Sequence, residues 1–76
     1  MEMKDFIENF AAQFDDTDID EFKEDTNIKE LEEWSSLNAL SVIAMVDDEY
    51  DVTLKGDDVK GVETIEDLYN LVKSRL

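Results

Sequence analysis

The chain has 76 residues, of which 22 are acidic and 7 basic, giving a formal net charge of -15. That length allows a single domain over residues 1–76 around one core, and that charge excludes binding to a phosphate backbone as a main activity, so no nucleic-acid partner is expected. With neither cysteine nor histidine, the chain has no disulfide staple, no thiolate metal site and no imidazole base, a residue set poor for an enzyme.

Strong acidity also accompanies disorder, but Phe6, Phe10, Phe14, Trp34, Tyr50 and Tyr69 fall at patterned positions that a disordered chain lacks. The first segment, residues 2 to 14, sets Phe6, Ile7, Phe10, Ala11 and Phe14 at spacings of three to four. This is one apolar stripe of an amphipathic helix. "DDTDIDEFKEDTNIKELEEW" follows as a long acidic connection, expected to lie over the core pinned at Ile19, Phe22, Ile28, Leu31 and Trp34.

Residues 36 to 50 read as a second helix. "YDVTL" alternates briefly but has no partner strand. Between Gly56 and Gly61, the chain's two glycines, "DDVK" is long enough for a short third helix. Thr64 then opens a last helix through "TIED", a capping box with Asp67 in place of the usual Glu, and Ile65, Leu68 and Val72 form its buried face. The expected fold is all-α: a small four-helix bundle with a long first loop and a short third helix.

At 100° per residue, Ala39, Val42, Ile43, Val46 and Tyr50 share an arc of about 100°, enough for a core-facing stripe. Leu37, Leu40 and Ala44 fall in a second arc of roughly 60°, with Ser41, Asp47 and Asp48 beside them. One reading packs Leu37 and Leu40 under the loop or the third helix. The other leaves an exposed apolar strip rimmed by carboxylates, suited to transient docking of basic partners.

Ser35 and Ser36 stand at the first turn of this second helix, where a serine ordinarily serves as a cap. A phosphate attached to a hydroxyl there would also be favoured, because the helix end carries partial positive charge and free N–H groups.

"TNIKELEEWSSL", "SSLNALSVIAMVDDEYDVTL" and, at the expected distance, "VETIEDLYNLV" together resemble the acyl carrier protein family over nearly the whole chain. Thr26, Ile28, Glu30, Leu31, Trp34, Ser36 and Leu37 are in register with the carrier stretch T-x-[FI]-x-E-L-x-x-W-[DS]-S-L. The resemblance implies a carrier whose Ser36 hydroxyl receives 4′-phosphopantetheine from coenzyme A through a phosphopantetheinyl transferase that binds Mg²⁺. Acyl groups would then travel as thioesters on that arm, in fatty-acid, polyketide or related biosynthesis. By the same comparison Leu37, Leu40, Ser41, Ala44, Asp47 and Asp48 align with the helix on which acyl-processing enzymes dock through basic surfaces.

The sequence departs from the family at Ser35, where most carriers have an Asp that contacts the transferase. A hydroxyl cannot make that charge-assisted contact, and its unreplaced loss weakens recognition by about 1.5 to 3 kcal/mol. Two expectations follow: a dedicated transferase, or an unmodified acidic carrier-like adaptor that binds a basic protein. Because Leu37 follows Ser36 in the family pattern, Ser35 is expected to cap the helix.

A calcium loop starting at Asp16 fails, because Glu21 stands where glycine is needed and Asn27 where the bidentate Glu belongs. No signal peptide and no run of 18 apolar residues is visible, so a cytoplasmic monomer without membrane insertion is expected.

Overall fold

A computed structural model describes residues 1–76. Four helices follow in order: α1 (Met3–Ala11), α2 (Ser36–Tyr50), α3 (Gly56–Gly61) and α4 (Ile65–Ser74). The all-α bundle read from the sequence is the fold observed. No strand forms, and the only β-type pairing is an isolated antiparallel bridge between Asn27 and Thr64.

Helix α1 packs against α2 and α4, and α2 packs against α3. Phe6 and Phe10, one helical turn apart, are fully buried, and each contributes about 1.5–3 kcal/mol by leaving water. The helix ends at Ala11 rather than at residue 14. Gln13 and Phe14 nevertheless donate to Phe10 and Ala11, three residues back, a tighter turn that still carries the Phe14 ring into the core. There it lies 5.1 Å from the Phe22 ring and 6.3 Å from that of Trp34.

The long first loop contains two 3-10 turns, Ile19–Glu21 and Ile28–Glu30, that the sequence reading did not anticipate. Phe22 and Ile28 are buried anchors, and Leu31 and Trp34 pack half-buried against the core. Ile19 does not anchor the loop: it is 53% exposed, on the edge of an open surface hollow beside Met3, Ile7 and Glu8 of α1. The loop is instead held by backbone pairing to the α4 entry, with Ile28 N–H on the Glu63 carbonyl at 2.8 Å and Glu66 N–H on that of Glu24 at 2.9 Å.

Helix α4 begins at the expected capping box. The Thr64 hydroxyl accepts from Asp67 N–H at 3.1 Å, and the Asp67 carboxylate accepts from Thr64 N–H at 3.2 Å. The N–H groups of Thr64 and Glu63, both donated to the Asp67 carboxylate, hold it below its ordinary pKa. Arg75, just past the end of α4, grips Asp58 of α3 through two 2.9 Å hydrogen bonds.

Candidate functional site

Helix α2 is the element on which the candidate residues meet. Ser35 is its N-cap in extended backbone, accepting from Asn38 N–H at 3.4 Å and donating its hydroxyl to the Asn38 side-chain oxygen at 2.8 Å. Ser36 is the first residue of the helix and is exposed. The capping role expected of Ser35 is therefore present, and the Ser36 hydroxyl takes no part in it.

Two ties fix the segment around these serines. On the near side, the Glu33 carboxylate accepts from the Thr17 hydroxyl at 2.6 Å, Asp16 N–H at 2.7 Å and Asp15 N–H at 3.2 Å. These donors, Thr17 first, lower its pKa. On the far side, the Asn38 amide donates to the Gln13 carbonyl at 3.2 Å. Sequence reasoning missed both, since nothing local in the sequence marks a side chain that reaches backbone so far away.

The α2 core face is Val42, Met45 and Val46, all buried. It is rotated by roughly 60° about the helix axis from the expected stripe, at 100° per residue. Met45 joins the core on the side where Asn38 reaches Gln13, just past the end of α1. Ala39 and Ile43, expected in the core, are only half-buried, because they face a groove between α2 and α3 instead of a packed helix.

That groove has a volume of about 430 Å³, and Ser35 and Ser36 are among the residues that line it. Trp34, Ala39, Leu40, Ile43 and Val59 supply its apolar surface, and Lys29 and Lys60 stand on its rim.

Beyond the groove α2 is open. Leu37 is 74% exposed, and Leu40, which also borders the groove, 63%, so neither the loop nor α3 covers them. Ala44, Asp47 and Asp48 are exposed on the same helix, and Ser41 is half-buried beside them. Asp47, Asp48 and Glu49 crowd the last turn of α2, which has no basic residue. Carboxylates there oppose the helix dipole. Asp51 then ends the helix in the left-handed conformation, at φ 55°.

No group of three or more acidic side chains is arranged to hold a metal ion, and no helix is long and apolar enough to cross a membrane. A family profile described as phosphopantetheine attachment site matches residues 5–72. No curated protein and no solved structure matches the chain.

Proposed function

The chain belongs to the family that carries a phosphopantetheine attachment site, and from that premise we propose that Ser36 is the residue to which the arm is joined. It is a non-catalytic carrier, and its cofactor is covalently attached 4′-phosphopantetheine. The observation that carries the assignment is the division of labour between the two serines: Ser35 is engaged in the cap, while Ser36 is exposed, lines the α2–α3 groove and has no hydrogen bond to the cap.

The residues present fit the group. A phosphate ester on Ser36 lies at the start of a 15-residue helix, where free N–H groups and the dipole favour negative charge. Once attached, the arm supplies the thiol that the chain lacks, and acyl groups are carried on it as thioesters. In the attachment step the Ser36 oxygen would bond to the pantetheine-side phosphorus of the coenzyme A pyrophosphate, the bond from that phosphorus to the bridging oxygen would break, and adenosine 3′,5′-bisphosphate would leave. With no histidine in the chain, the proton passes to a base on the transferase.

Docking of partner enzymes falls to the exposed face of α2. Leu37, Leu40 and Ala44 form its apolar centre, with Ser41, Asp47 and Asp48 around them. Support comes from two costly features in one place: large apolar side chains left in water, and carboxylates at the unfavourable end of the helix. Both suit a partner with a basic, partly apolar surface. Such partners are the transferase and the enzymes of a fatty-acid, polyketide or related pathway. With Ser35 capping where most carriers present Asp, the modifying enzyme is one adapted to this chain.

Intact mass tests the assignment after incubation with coenzyme A, Mg²⁺ and phosphopantetheinyl transferase. Wild type and Ser35→Ala gain one phosphopantetheine mass, and Ser36→Ala gains none. A gain that survives Ser36→Ala moves the attachment point elsewhere.

A further inference from the structure

In a chain with a net charge of -15, a surface hollow without a carboxylate is unexpected. Three other hollows carry acidic side chains, Glu66 in one, Asp48 in another and Glu8 in the third. The α2–α3 groove has none, and two of the chain's seven basic residues, Lys29 and Lys60, stand on its rim.

Neither lysine is neutralised. The molecule's single ion pair joins Arg75 to Asp58, so both ammonium groups lack a carboxylate partner despite the surplus of acid. Lys29 is also fixed in place, its Nζ donating to the Lys60 carbonyl across the groove. That bond uses one of three N–H donors and leaves two. The Lys60 side chain is free of hydrogen bonds.

We infer that Lys29 and Lys60 form a binding site for the phosphodiester of the chain's own phosphopantetheine arm, holding the arm back over the α2–α3 groove. The inference rests on the assignment of Ser36 as the attachment point. Two cations beside an apolar channel, in a strongly acidic protein, complement an anion that arrives with an apolar extension. The phosphodiester is that anion: it is ionised at any working pH, and it is bonded to the Ser36 oxygen, which lines the same groove. A carboxylate on the acyl load would lie at the far end of the arm, away from that anchor.

Ile43 and Val59 line the same groove and would offer apolar surface to the arm beyond the phosphodiester. The restraint is electrostatic and partly exposed, so salt weakens it.

The test uses holo protein, with full modification at Ser36 established first by intact mass. The phosphorus-31 shift is followed between about 0.01 and about 1 M salt, over which the screening length falls from about 30 to about 3 Å. The amide shifts of Ile43, Val59 and Lys60 are compared between apo and holo forms. Wild type shows a salt-dependent phosphorus shift and displaced groove amides. Lys60→Gln, which keeps the carbonyl that Lys29 uses, reduces both effects, and Lys29→Ala with Lys60→Gln abolishes them.

Equal phosphorus shifts and equal salt responses in wild type and in Lys60→Gln would overturn the inference. So would a lysine-dependent response confined to an arm loaded with a succinyl group, because the anion would then be the load's carboxylate. Absence of a phosphopantetheine mass on Ser36 in protein purified from its native host, where its own transferase is present, is seen in the mass measurement alone; it overturns the attachment assignment and this inference with it.

Discussion

The Glu33 carboxylate accepts a 2.6 Å hydrogen bond from the Thr17 hydroxyl, 16 residues earlier in the chain. Together with the Asp15 and Asp16 N–H groups, this closes the turn after α1 onto the segment that leads into Ser36. The orientation of the candidate serine thus depends on a carboxylate that is not itself in the proposed docking face.

Glu33→Ala is expected to lower the melting temperature at neutral pH and to raise amide exchange over residues 15–17. The sign of the pH dependence follows from the donors. Folding lowers the Glu33 pKa from its ordinary 4.5, so its contribution is fully present above that value and is lost as pH falls through the folded one. Thermal melts of wild type and Glu33→Ala should therefore differ at pH 7 and converge in acid. An equal gap at both pH values would show that the carboxylate charge plays no part.

Phe10 is fully buried, with its ring 5.2 Å from that of Phe14 and 5.8 Å from that of Phe22. Truncating such a residue costs about 3–5 kcal/mol. At roughly 0.05–0.15 kcal/mol per residue, a domain of this length holds only about 4–11 kcal/mol in all. Phe10→Ala should consequently be largely unfolded at physiological temperature, or lose most of its urea midpoint. A midpoint close to that of wild type would mean that the aromatic cluster repacks around the gap.

The helix boundaries were legible wherever a local signal marked them. Ser35 caps α2 and Thr64 with Asp67 caps α4, and both lie where the sequence reading set them. The exposure of Leu37 and Leu40 was legible as one of two alternatives, because a helix with two apolar arcs has more apolar surface than a small bundle can bury. The rotation of α2 toward Met45 was not legible. It depends on the turn after α1 meeting one side of the helix through Gln13 and Asn38, while α3 leaves a groove along the other. Ile19 misled for a related reason: an apolar residue in a loop signals an anchor only if the loop passes over the core at that point.

The Thr64 hydroxyl and the Asp67 carboxylate satisfy each other's backbone N–H groups at the start of α4. Removing a cap of this kind costs about 0.5–2 kcal/mol. Thr64→Ala should lower stability by that amount, and Thr64→Ser should retain most of it. Because Thr64 also bridges to Asn27 through backbone, which the substitution spares, the loop pairing should persist in amide exchange. Loss of protection at Ile28 in Thr64→Ala would show that the cap and the loop pairing form one cooperative unit.

Asp47 and Asp48 are exposed in the last turn of α2, where their charge works against the helix dipole. Replacing both with Lys should therefore leave the fold intact or slightly stabilise α2, while reversing the local field. If these carboxylates steer basic partners, association with a transferase that modifies wild type should slow by about 10- to 1,000-fold at low ionic strength. The difference should shrink as salt screens it. Association rates measured by stopped flow across a salt series check this, with circular dichroism as the control for folding. A slow rate independent of salt would indicate a local contact instead of steering, and an unchanged rate at low salt would remove Asp47 and Asp48 from the docking face and leave it to Leu37 and Leu40.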